Sequence, residues 1–309
     1  MTAYTEDFNY YLENVKEVST NTLESYMRDI NQFVSYLDRS GIDSPLSADK
    51  ETVEGFLQYL RDMEKSSATI TRMLASVRAY YQFLMRDGKA ASNPAKQIKL
   101  ERAAKKNPEV LTDKEIRMLL STPNPDDMKG ARDKAMLELL YATGIRVSEL
   151  INLDINDVRC ERGERGEVTC RTARGSRSIP VYQSAAETLN YYINSVRPLL
   201  VSADSGDALF INLNGNRLSR QGFWKIVKGY AEAANINKEI TPHTLRHSFA
   251  LHLYQNGASL HELQLMLGHA DISSTQLYAN LSQEPAYRDV YDRCHPFAAG
   301  HQNRKVSIS

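Results

Sequence analysis

This sequence predicts a mainly α-helical protein of two domains, the second α+β with a small β-hairpin or sheet. Three observations carry that prediction. Apolar residues recur at helical spacing through the first hundred positions. A basic, proline-bearing stretch at 99–108 then breaks the pattern. One segment, 167–181, has the composition and turn of paired strands. The expected layout is a helical domain at 1–104, a basic linker at 105–111 and a second domain at 112–309.

From Thr20 to Leu37 the residues Leu23, Tyr26, Ile30, Phe33 and Leu37 share one helical face. Val53, Phe56, Leu57 and Leu60 give a second helix; Ile70, Leu74, Val77, Tyr81 and Leu84 give a third. Asp87-Gly88 stops it, because glycine accepts the left-handed conformation of a helix end. Thr69, Arg72, Ser76 and Arg78 on this helix are candidates to face a DNA groove. Asn93-Pro94 closes the domain.

Thr112 with Glu115 forms a capping-box signature, and Ile116, Leu119 and Leu120 follow it. A helix from about Gly130 to Ala142 leads to Arg146. The hairpin carries a basic turn, Thr172-Ala173-Arg174-Gly175. Ser184 with Glu187 is expected to cap a helix ending near Pro198. Leu209-Phe210-Ile211 reads as a short strand, and Ser219 starts a helix bearing Phe223, Trp224, Val227 and Tyr230. The segments holding His243, His269 and Tyr278 read as mostly helical. Near the end, Tyr287, Val290 and Tyr291 form an apolar stripe on a tail helix at 285–297.

The 309 residues are long enough for two domains, and 42% hydrophobic with 25% charged residues is ordinary for a globular protein. The N-terminal segment lacks the basic and apolar regions of a secretion signal. No apolar run reaches membrane length; Glu138 interrupts the best one. Three cysteines without metal spacing fit a reducing cytoplasm, the expected location. The net charge is zero, but its distribution is uneven. Residues 1–64 hold 5 Lys and Arg against 13 Asp and Glu, whereas residues 65–106 hold 10 against 2. A basic block on a helix and linker favours a phosphate-binding surface over a merely solvated face.

The chemistry rests on three separated segments. They are Ala142-Thr143-Gly144-Ile145-Arg146-Val147-Ser148-Glu149-Leu150, His243-Thr244-Leu245-Arg246, and Leu267-Gly268-His269 through Tyr278. A tyrosine phenol, with a pKa near ~10, must lose its proton to attack phosphorus. Guanidinium groups suit the charge on non-bridging phosphate oxygens, because they are planar, always charged and able to bond bidentately. Histidine donates a hydrogen bond or moves a proton near neutral pH. Tyrosine can hold the phosphoryl group covalently, so the ester energy is retained and no ATP is needed. Singly, each residue is more ordinary: a core tyrosine, a salt-bridged arginine, a loop histidine. His243 and His247, four apart, lack the glutamate of a His-Glu-x-x-His zinc site, so no metal is expected.

The joint order and spacing of these segments resemble the tyrosine recombinase (phage integrase) family, most closely its Xer branch. The resemblance covers nearly the whole chain. It implies Arg146, His243, Arg246, His269 and the nucleophile Tyr278 as catalytic residues, with Glu149 in support and no cofactor. It implies a SAM-like core-binding domain and a catalytic domain of the DNA breaking-rejoining fold, closing on DNA as a C-shaped clamp. Four protomers would hold two duplexes, exchanging strands through a Holliday junction, with the tail helix docking on a neighbour. Leu218-Ser219-Arg220-Gln221 resembles the place where Xer proteins touch bases, and Arg220 and Gln221 suit guanine and adenine edges.

The hairpin departs from the family, which carries Gly-Lys-Gly there, the lysine protonating the departing 5′ oxygen. Eight residues before Pro180 stands Thr172; a hairpin two residues shorter puts Arg174 in the lysine slot. Arg171 and Arg177 are rivals. The first reading is a site-specific recombinase working through a 3′-phosphotyrosyl intermediate, resolving chromosome dimers at a dif-like site. A second recombinase and an FtsK-like translocase are possible partners of that reaction. The alternatives are the integrase of a mobile element, a type IB topoisomerase, and a DNA-binding accessory protein weakened by loss of the lysine.

Overall fold

The computed structural model describes residues 2–100, 107–161, 163–172, 175–269 and 271–281. It divides into two units, Met1–Lys106 and Asn107–Ser309.

Unit 1 is built from α1 (Thr2–Asn14), α2 (Thr20–Arg39), α3 (Lys50–Asp62) and α4 (Ser67–Arg86). Ser19, Asp49 and Ser66 cap the last three, each accepting a backbone N–H three residues on. The expected stripes meet in one core that includes Ile30, Phe33, Leu37, Phe56, Leu60, Val77 and Leu84. Phe8 on α1 completes it, stacking edge-on against Tyr80 at 5.2 Å. Gly88 closes α4 with φ +68°, the left-handed turn expected there.

Two of the candidate DNA-facing residues are spent inside this unit. Ser76 is 3% exposed, and its Oγ donates to Asp29 at 2.7 Å. Asp29 is itself buried, so its carboxylate needs such donors; Arg72 supplies the other by ion pairing. The Arg78 guanidinium donates to the carbonyls of Ala95 and Ile98, tying down the chain that follows α4. Ser76 is thus withdrawn from any groove, and the half-buried Arg78 is engaged by the chain that follows α4. Thr69 is half-buried, whereas Arg72, Lys96 and Lys99 keep exposed side chains. Residues 101–106 of the linker region lie outside the described residues.

In unit 2 the Thr112–Glu115 capping box opens α5 (Asp113–Ser121), as the sequence indicates. The central helix α6 (Met128–Thr143) is buried along most of its length. Short α7 (Val147–Asn152) precedes a three-stranded antiparallel sheet: β1 (Val158–Arg159), β2 (Gly166–Thr172) and β3 (Gly175–Val181), in that order. In β2–β3, Val168 pairs with Ile179 and Cys170 with Arg177. Alternation along a strand then puts Arg177 on the same face as buried Ile179 and Val181.

The helix after the hairpin, α8 (Gln183–Tyr191), has Tyr182 rather than Ser184 at its N-cap position, with no side-chain cap. Strand β3 runs to Val181, so the turn falls at Tyr182, and Ser184 already lies in the first helical turn. A π-helical turn continues it into α9 (Arg197–Leu200). Leu209–Ile211 is buried but is not a strand; isolated bridges at Ala208 and Ile211 take the place of a ladder. Helices α10 (Arg220–Ala233), α11 (Pro242–Gln255), α12 (Leu260–Leu267) and α13 (Ser273–Leu281) complete the described chain. The tail stripe Tyr287, Val290 and Tyr291 lies outside the described residues. Among the described residues no helix is long and apolar enough to cross a membrane.

Candidate active site

Helix α6 ends at Gly144 with φ +59°, where a Cβ would lie 2.2 Å from the Phe249 ring of α11. Only glycine lets the loop approach α11 so closely. The chain then turns to Arg146, which precedes α7 in an extended conformation. Arg146 Nη2 donates to the Gly268 carbonyl at 2.9 Å, and its side chain stays 40% exposed.

Glu149 holds two arginines. Arg177 donates to both its carboxylate oxygens at 2.8 Å, and Arg146 donates from Nη1 at 3.2 Å and from its backbone N–H at 2.8 Å. Burial pushes the Glu149 carboxyl up, but these donors outweigh it and hold it below the usual range. Arg177 also donates from Nε to the Met266 carbonyl at 3.0 Å. A Cβ on Gly268 would lie 2.8 Å from its guanidinium.

Arg246 links the three segments. It sits on α11, is 5% exposed, and donates to the carbonyls of Gly144 and Leu267. Burial and neighbouring Arg146 pull its pKa down to about 10, so it stays charged at neutral pH. His243 lies on the first turn of α11, and partial desolvation together with Arg246, Arg220 and Arg146 lowers its pKa. Arg220 and Gln221 are exposed at the start of α10. His269 follows α12, and its Nδ1 lies 3.0 Å from Thr275 Oγ1.

Tyr278 is 1% exposed and packs in an apolar cluster with Phe249, Ala250, Leu251 and Leu267. Its hydroxyl lies 3.0 Å from His247 Nδ1. Burial raises its pKa, an effect that Arg246 partly offsets. The geometry thus gathers Arg146, Glu149, His243, Arg246, His269 and Tyr278 into one cationic site, with Arg177 beside Glu149. Arg171, the other hairpin rival, points outward to Asp157 at 2.9 Å. Thr172 ends β2 opposite Gly175, and Arg174 lies outside the described residues. His247, weighed in the sequence only as a metal partner of His243, lies against Tyr278, a contact that nothing in its spacing reveals.

The histidines predict a pH dependence of stability. Burial and the nearby cations lower both His247 and His269 from 6.5 to about 4. Between those values the unfolded chain binds protons that the native histidines refuse, so stability falls as pH drops from 6.5 to about 4. Urea unfolding across this window should show the fall, and His247→Asn should flatten it. An unchanged slope in that variant would place the proton uptake elsewhere.

Residues 109–284 match the phage integrase family, and residues 5–88 match its N-terminal SAM-like domain. The tyrosine recombinase XerD of Staphylococcus epidermidis is 41% identical over 300 residues, covering 96% of this chain and 100% of that protein. That of Halalkalibacterium halodurans is 42% identical over 296 residues, covering 95% of this chain and 97% of its own. The crystal structure of the XerH site-specific recombinase in its post-cleavage complex with a palindromic difH substrate superposes with a TM-score of 0.75. At 20% identity, over 93% of this chain and 84% of that one, it shares the fold. The chain belongs to the phage integrase family and is a tyrosine recombinase, an enzyme that breaks and rejoins DNA.

Proposed function

We propose that Tyr278 attacks the scissile phosphate of a dif-like recombination site while Arg146 and Arg246 hold the non-bridging oxygens. The bond between Tyr278 Oη and phosphorus forms as the P–O5′ bond breaks. The 5′ oxygen leaves as a hydroxyl, and the DNA 3′ end remains on the tyrosine. A 5′ hydroxyl from the partner duplex reverses the step on the new strand. His243 and His269 donate to phosphate oxygens or move protons, and Glu149 orients Arg146. The observation that carries this reading is Arg246: one buried guanidinium bonds the loop before Arg146 and the end of the helix before His269. Similarity to XerD recombinases over nearly the full chain supports a role at chromosome dimers. We place the enzyme in the cytoplasm, as a homo- or hetero-tetramer on two duplexes; Arg72, Lys96 and Lys99 are its phosphate contacts in unit 1.

The test is incubation with a suicide site nicked near the scissile phosphate. A covalent adduct separates an enzyme from an accessory binder, and recombinant products separate a recombinase from a topoisomerase. Absence of any adduct on dif-like DNA overturns the reading. Residues 160–182 contain no lysine, so no lysine ammonium from this hairpin protonates the leaving group. A 5′-phosphorothiolate substrate, whose sulfur leaves without an acid, should therefore be cleaved much faster than the normal one. Thr172→Lys should speed the normal substrate alone, and equal rates on both substrates would show that leaving-group protonation is not limiting.

A further inference from the structure

Of the histidines in the site, His247 alone has a contact to the nucleophile among the described hydrogen bonds. The His247 and Tyr278 rings lie 5.9 Å apart and tilted by 50°, with Nδ1 3.0 Å from the hydroxyl. One partner must donate. The phenol does, because burial raises Tyr278 while burial, His243 and Arg246 keep His247 neutral. Neutral imidazole accepts at Nδ1 when its proton sits on Nε2. The charged or titratable groups around His247 are His243 and Arg246 on α11, Tyr278 on α13, and His269 after α12. None is an anion, so none competes for the proton. His269 Nδ1, by contrast, is engaged by Thr275.

We propose that His247 is the catalytic base that takes the Tyr278 proton during strand cleavage and returns it during rejoining. This rests on the reading of Tyr278 as the nucleophile. The Oη–H bond breaks as Nδ1 gains the proton and Oη bonds phosphorus; the P–O5′ bond breaks and the 5′ oxygen takes a proton from water, leaving hydroxide in solvent and imidazolium at His247. In rejoining, the 5′ hydroxyl loses its proton to water, and the imidazolium reprotonates the departing phenolate. A phosphodiester anion held by Arg246, the adjacent residue, offsets the cationic field that makes His247 a weak base. Its basicity therefore rises when substrate is present.

His247→Asn and His247→Ala test this in the full chain on the suicide site. Asparagine keeps a hydrogen-bond acceptor beside the hydroxyl but cannot carry a proton. Both variants should bind the site as the parent does, and adduct formation should slow about 10²-fold, the lower range for a lost proton-transfer group. Added imidazole should speed His247→Ala. A 5′-phosphorothiolate should speed parent and variants by the same factor, because the defect lies on the nucleophile side. Cleavage by His247→Asn at or above the parental rate would show that the contact only holds the hydroxyl at rest. Full rescue by the phosphorothiolate would move His247 to the leaving group. Failure of the underlying reading looks different: Tyr278→Phe would still form the adduct.

Discussion

Tyr278→Phe should bind DNA with parental affinity and form no covalent adduct. The substitution removes one oxygen from a ring otherwise enclosed by Phe249, Leu251 and Leu267, so the packing that holds α13 stays. The structural loss is the bond to His247, worth about 1 kcal/mol. The chemical loss is complete, because a phenyl ring has no atom to bond phosphorus. Denaturing gels of a suicide-site reaction read the difference directly. Adduct formation by Tyr278→Phe at the parental rate would assign the nucleophile to another residue. The enclosed hydroxyl adds a condition. A residue 1% exposed cannot meet a phosphate arriving from solvent, so the cover over α13 must open before attack while His247 stays beside the hydroxyl. Peptides of α13 should then exchange amide hydrogen faster in the presence of the DNA site.

Much of this was legible in the sequence, and the parts that were not have a common cause. Helices with long apolar stripes, such as α2 and α4, follow from periodicity alone, and the Thr112–Glu115 cap is local chemistry. The intramolecular partners of Ser76 and Arg78 are hidden from helical periodicity because they are distant in sequence: Asp29 lies 47 residues away, and Ala95 and Ile98 lie beyond the helix end. Leu209–Ile211 misled because a short apolar run reports burial without choosing between ladder and loop. Arg177 was within reach. Ile179 and Val181 fix the inner face of β3, and parity puts residue 177 on it. What parity does not give is the bidentate pairing with Glu149, which depends on how α7 packs against the sheet.

Arg246→Ala should lower the cleavage rate about 10²–10³-fold, the scale of one lost electrostatic contact to the transition state. Alanine also removes two donors that bind loop carbonyls, so some of its effect is structural. Arg246→Lys separates the two contributions. A guanidinium has five N–H donors; the carbonyls of Gly144 and Leu267 take two and leave three for a phosphate. An ammonium has three and would have one left after the same bonds, with no planar fork to span two oxygens. Charge alone is kept. Arg246→Lys should therefore melt near the parent temperature yet cleave at least about 10-fold more slowly, as expected for a lost bidentate contact. Single-turnover cleavage and thermal unfolding of the same preparations decide it. Parental cleavage by Arg246→Lys would reduce the residue to a point charge, and parental cleavage by Arg246→Ala would remove it from the chemistry altogether.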